Sequence, residues 1–254
     1  MRIHLFEWED QPWFPSVLRD NMTDFLRNMI LWQKIYEPSV DILLKLIHET
    51  KEKQIVDLCS GAGGGIEAIA KEVNKKSREK IQFILTDKFP NEDVIKYLSE
   101  INYISYYPNE VDALHVLKEL NGIRTLYSSF HHFKPDQAKQ ILQDATKNSS
   151  AIAVFEGAGK TLMEFIAFML IFPVAIFFIT PFIKPFKWSR IIFTYLIPLL
   201  PFIIYWDGLV SILRMYNLKD LDKLTKSFDN HFAWKYGKLK GKYGVVTYLY
   251  GVRK

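Results

Sequence analysis

Between Asp57 and Gly65 the chain reads DLCSGAGGG, an acid followed by four glycines within nine residues. Glycine has no Cβ, so a turn of this composition brings backbone N–H groups and the N-terminus of a following helix against a polar ligand. A second acid, Asp87, follows Asp57 by 30 residues, where its two oxygens are placed to accept a pair of hydroxyls such as those of a ribose. Loop and acid together point to a nucleoside; the bland alternative is a tight strand-to-helix turn with no ligand. His131 and His132 are the side chains best suited to move a proton near neutral pH, although one of them could simply orient its own loop. Asp207, Ser211 and Arg214 are spaced by four and three residues, so a helix presents all three on one face, toward a substrate pocket. The alternative is that Asp207 caps that helix while Arg214 meets a lipid phosphate or a surface acid. Glu156 is a further rim acid without an assigned task.

These groups need a frame, and the hydropathy pattern supplies one. Leu18, Met22, Phe25, Leu26, Met29, Trp32 and Tyr36 recur at helical steps over residues 16–36, with Ser16 as the expected cap. Pro38 opens a second helix running to about His48. From residue 54 strands and helices alternate: QIVDL, IQFILTD, YISYY, IRTLYSS and SAIAVFE read as strands, separated by helical or loop segments such as GIEAIAKEVNKK, VIKYLSEI, VLKELNG and KPDQAKQILQDATK. This predicts an α/β fold, a doubly wound and mostly parallel Rossmann-like sheet, with ligands at the carboxyl ends of the strands. A helix is expected over residues 208–216 and a final hairpin from Phe232 to Val252, turning near Lys240 and Gly241.

At this point the residues carry a family resemblance. VDLCSGAGG resembles motif I of class I S-adenosylmethionine-dependent methyltransferases, LTD ending at Asp87 resembles their motif II, and LYSSFHHF is similar to the fourth-strand motif of the quinone-methylating, small-molecule type. The resemblance covers residues 50–160 and departs at Cys59, which stands where the family has its first motif glycine. It implies S-adenosylmethionine as cofactor, held by Asp57, Cys59, Gly61, Gly63, Asp87, Lys88, Asp112, Ala113 and Ser128, with His131 or His132 as an optional base.

Two other strings compete with this reading. Gly63, Gly65 and Ala68 spell the G-x-G-x-x-A of a dinucleotide site, but that fingerprint sets its glycines directly after the strand, without Asp57 and the four residues from Cys59. Gly157 to Thr161, GAGKT, mimics the end of a phosphate-binding loop; Val154 occupies its required first glycine, so a plain turn is expected. An NAD-dependent enzyme or a non-catalytic nucleoside-binding scaffold at a membrane are the rival functions.

Composition narrows the partners. Cys59 is the only cysteine, which removes disulfides and cysteine-rich zinc sites, and no paired-acid motif signals a metal, so none is expected. MRIHLFEWEDQ carries Glu7, Glu9 and Asp10 and has no apolar run of a secretory signal, which predicts the cytoplasmic side. Its aromatics Phe6, Trp8, Trp13 and Phe14 complete the core or fold over a pocket. Residues 214–254 carry 10 basic against 3 acidic side chains. Nucleic acid is set aside for want of an Asn-Pro-Pro-Tyr type motif. The chain divides into an arm with cap helices (1–50), a cofactor core (51–160), an apolar insertion (161–206) and the completion of the core (207–254).

The insertion is the second informative feature. Phe165 to Ile179 is apolar but broken by Pro173, and at about 22 Å as helix it falls short of a hydrocarbon core of about 30 Å. The reading favoured is a monotopic hairpin dipping into one leaflet, with Lys184, Lys187, Arg190 and Trp188 at headgroup level. A helical lid over the site is the alternative. The expected activity is methylation of a hydrophobic small molecule or lipid at the cytoplasmic face of a membrane.

Overall fold

Five short apolar segments lie side by side in parallel: β1 (Gln54–Leu58), β2 (Gln82–Leu85), β3 (Ile104–Tyr106), β4 (Ile123–Tyr127) and β5 (Ala151–Glu156). Two longer strands, β6 (Phe232–Lys240) and β7 (Val245–Arg253), form the expected hairpin, and β7 pairs antiparallel with β5. The sheet order is β3-β2-β1-β4-β5-β7-β6. The computed structural model describes residues 2–157, 162–226, 228, 232–242 and 244–254; beyond Gly157, the GAGKT turn lies outside them.

Because the strands are covered on both faces, they are apolar almost throughout rather than alternating. Ile55 of β1 joins a core built with α2 (Val40–Thr50) and α3 (Ile66–Lys76), while its neighbours Val56 and Leu58 join the opposite core, packed by α5 (Pro135–Asn148) and α9 (Leu218–Thr225). Strand order reverses between β1 and β4, so the loops leaving these two strands open a crevice at their carboxyl ends. The Rossmann-like α/β fold expected from the sequence is the one observed.

A third core lies outside the sheet. α1 (Ser16–Gln33) buries Leu18, Met22 and Phe25 against Ile176 of α6 (Leu162–Ile179) and against Leu200, Ile203 and Ile204 of α8 (Leu199–Arg214). Each such side chain contributes roughly 1.5–3 kcal/mol by burial. Between α6 and α8 lies α7 (Trp188–Ile191), extended by a wider turn to Leu196. The insertion is therefore docked on α1 by one face. Its other face is open: Leu170, Ile171, Phe178, Phe182, Trp188, Leu196 and Phe202 are all exposed by 60% or more. Among the described residues no single helix is long and apolar enough to cross a membrane; Trp188–Leu196 with Leu199–Arg214 pass only as a pair bent by 86°.

Several expectations need correction. Pro15, not Ser16, precedes the first turn of α1, and it offers no side-chain cap. α4 (Glu92–Leu98) forms as expected, and VLKELNG takes the loop form of the two expected for it. The helix placed at 208–216 is the second half of α8, because Pro201 sits in its first turn, where a missing N–H costs nothing. α9 was not anticipated; Asn217 caps it by accepting from the N–H groups of Lys219 and Asp220. Of the basic link, Arg190 is buried against Asp24 of α1 and Lys187 bridges Asp24 and Asp93 at 3.0 and 3.1 Å, so neither cation is presented to a headgroup.

Candidate functional site: a crevice between the glycine loop and the N-terminal arm

The glycine loop is tied to the end of β2 before it turns. Ser60 N–H donates to Thr86 O at 2.9 Å and Thr86 N–H donates to Asp57 O at 2.8 Å. Asp57 itself faces backward: its carboxylate accepts from Ser60 Oγ at 2.6 Å and from Thr125 Oγ1 at 2.7 Å, and burial pushes it up to about 7. It organises the loop rather than lining the crevice. Cys59 then takes φ +57°, a left-handed conformation that a side chain disfavours, which is the physical reason for glycine at this motif position. Gly65, at φ +92°, starts α3 beneath α1; a Cβ there would stand 2.7 Å from Ile30 Cγ2, so only glycine fits.

The crevice has a volume of about 400 Å³. Seven of the nine expected cofactor residues line it: Cys59, Gly61, Asp87, Lys88, Asp112, Ala113 and Ser128. Asp57 and Gly63 do not; Gly63 turns toward Leu85 and Leu98. Asp87 accepts Gly61 N–H at 2.8 Å through Oδ2 and Phe89 N–H at 2.8 Å through Oδ1, which fixes the carboxylate. Each oxygen keeps a further lone pair for a ligand hydroxyl. Burial raises Asp87, against the pull of those two N–H groups. Asp112 accepts Leu114 N–H at 2.9 Å and lies 3.6 Å from Lys88 Nζ.

Sequence reasoning missed the opposite wall. The polar side of α1 supplies Arg19, Asp20, Thr23 and Arg27, and the arm supplies Glu9 and Asp10. Spacing alone made that helix face look solvated. The arm thus does both things considered for it: Phe14 enters the third core, and the acids before it reach the crevice.

The two histidines have different surroundings. His131 is buried, does not line the crevice, and is held through Nδ1 by Glu156 Oε2 at 2.8 Å. His132 lines the crevice, with Nδ1 2.7 Å from Glu7 Oε2 and 2.8 Å from Asp10 Oδ1, and Nε2 3.5 Å from Glu9 Oε1. Burial disfavours its charge, but Glu7 and Asp10 outweigh that and hold it well above the ordinary histidine value. The protonated form of its ring is therefore favoured. Burial pushes Glu9 up to about 8.

Asp207, Ser211 and Arg214 do share one face of α8, as the spacing predicts, but that face holds the arm instead of lining the crevice. Asp207 accepts the N–H groups of Trp8 and Glu9 at 2.9 and 3.1 Å, and Ser211 donates to Glu7 Oε1 at 2.9 Å. Arg214 Nη1 lies 2.8 Å from Glu7 and 2.7 Å from Asp10. The surface acid considered for Arg214 is thus a pair of acids in the chain's own N-terminus. Although no metal was expected, Glu7, His131 and His132 offer donor atoms that all lie within 4.8 Å of one another.

No protein-family description matches the chain, and no curated protein sequence matches it. Solved structures do resemble it. Magnesium protoporphyrin IX methyltransferase from Synechocystis PCC 6803 with bound S-adenosylmethionine aligns at 11% identity and TM-score 0.48, over 98% of this chain and 99% of that one. A plantazolicin methyltransferase in complex with S-adenosylhomocysteine aligns at 11% and 0.46, over 94% and 96%. The pyocyanin biosynthetic protein PhzM aligns at 12% and 0.48, over 80% of this chain and 51% of that one. At such identities, the functional reading rests on the residues of the crevice.

Proposed function

We propose that this chain is an S-adenosylmethionine-dependent methyltransferase acting on a hydrophobic small molecule or lipid reached at a membrane surface. The observation that carries the cofactor is the pairing of the glycine loop with Asp87: Gly61 N–H is bound to the same carboxylate whose free lone pairs face the crevice. In this reading Asp87 takes the ribose hydroxyls, and Asp112 with Ala113 borders the adenine. Methyl transfer asks little more than alignment. The acceptor's lone pair forms the new bond to the methyl carbon as the sulfur–carbon bond breaks toward sulfur, leaving S-adenosylhomocysteine. Glu9, which burial pushes up to about 8, takes the acceptor's proton in the fraction of molecules where it is ionised.

The membrane part rests on the exposed apolar side chains of the insertion, where Leu170, Phe178, Phe182, Trp188 and Leu196 are each exposed by 70% or more. So many large apolar side chains in one segment favour a lipid surface over water.

Calorimetric titration with S-adenosylhomocysteine tests the cofactor, with micromolar binding expected; no heat at millimolar ligand would remove it. Flotation with anionic vesicles tests the surface, and a protein that stays at the bottom of the gradient speaks for a lid. Mass spectrometry of lipid extracts, with and without the protein, then seeks a product one methyl group heavier.

A further inference from the structure

We propose that Glu7, His131 and His132 form a binding site for a divalent transition-metal cation, with Asp10 available as a fourth ligand. The three come from places far apart in sequence, the arm and the turn after β4, yet their donor atoms gather within 4.8 Å of one another. Donors around a metal at bond lengths near 2.0–2.2 Å lie about 3–4 Å apart, so small side-chain rotations complete the shell.

The observation that points to a cation is His131. Its ring is 3% exposed, and Nε2 has no hydrogen-bond partner among the described residues. Glu156 holds Nδ1, so Nε2 is the one ring nitrogen without a partner. A buried acceptor left unpaired costs roughly 1–3 kcal/mol. A carboxylate fixing one ring nitrogen so that the other can ligate is the usual support behind a metal-bound histidine.

Glu7, Asp10 and Glu156 supply carboxylates there, faced by Arg214 and the His132 ring, while Arg2 donates mainly to backbone carbonyls of His131, Phe133 and Arg214. Ser211 and Arg214 hold Glu7 from behind, so the ligand is positioned beforehand. Two imidazoles with carboxylates suit manganese, iron, cobalt or zinc better than magnesium or calcium, which prefer oxygen alone. His132 and Asp10 line the crevice, so the cation would meet an acceptor's oxygen there and lower the cost of its deprotonation. That use rests on the methyl-transfer reading; the binding does not.

The full chain is stripped with a chelator and titrated with zinc or cobalt(II). One equivalent is expected to bind, and cobalt to give visible absorption bands of imidazole ligation. His131→Ala and Glu7→Gln should each weaken binding by at least roughly tenfold, with circular dichroism and S-adenosylhomocysteine binding unchanged as the check on folding. His115→Ala, at an exposed histidine, should leave cation binding intact. Absence of stoichiometric cation binding by the wild type, or binding that survives both site variants, overturns the proposal. A chain that binds cobalt but not S-adenosylhomocysteine would leave this site standing and remove the methyl-transfer reading.

Discussion

Glu156 grips His131 twice: one carboxylate oxygen takes the ring Nδ1–H at 2.8 Å and the other takes the backbone N–H of the same residue at 3.0 Å. An amide in its place offers only one acceptor. Glu156→Gln is expected to lower zinc affinity roughly 10–100-fold and to leave S-adenosylhomocysteine affinity within about twofold, both read by calorimetry.

Asp57 gives the protein a pH-dependent stability. Burial raises its carboxyl from 3.8 to about 7, so the folded state keeps a proton that the unfolded chain has released. The stabilisation is complete below the unfolded value near 3.8 and is lost as pH climbs through about 7. Asp57→Asn removes this contribution. Thermal unfolding of both proteins between about pH 5 and about pH 9 should show the wild type losing a few kcal/mol more than the variant; parallel curves would refute it.

Cys59 holds a left-handed backbone that costs a side chain about 1–2 kcal/mol. Cys59→Gly should therefore be neutral or stabilising by up to about 1 kcal/mol, while Cys59→Val should destabilise by more than that. Denaturant unfolding measures both, and cofactor affinity of the glycine variant should be unchanged.

Arg214 is 2% exposed and neutralises Glu7 and Asp10 together. Arg214→Met strands those acids, at a cost of about 3–5 kcal/mol. The arm should then be clipped by protease within residues 2–15 at concentrations that leave the wild type whole.

The sheet was readable because both-face burial writes strands as unbroken apolar runs and caps or glycines mark the turns between them. The lining residues Gly61 and Asp87 were readable because each closely follows a strand end, and Asp112 only through the family resemblance. Glu9, Asp10 and the polar face of α1 were not, since a polar helix stripe has the same spacing whether it meets water or a ligand. Glu7 and His131 lie 124 residues apart, and no periodicity links them. The polar face of α8 was correctly assembled from spacing, yet its partner was missed, because the acids that it grips sit in a segment without regular structure.

The position of β7 bears on how the protein is made. This strand lies between β5 and β6, so residues 245–253 fill an interior slot of the sheet rather than extending its edge. During synthesis, β1 to β5 leave the ribosome with the flank of β5 bare, and the sheet cannot close until Arg253 has cleared the exit tunnel. A nascent chain stalled before Val245 should therefore be captured by chaperones at that unpaired flank, whereas a chain from which residues 245–253 have emerged should not, because the hairpin can then take its place in the sheet.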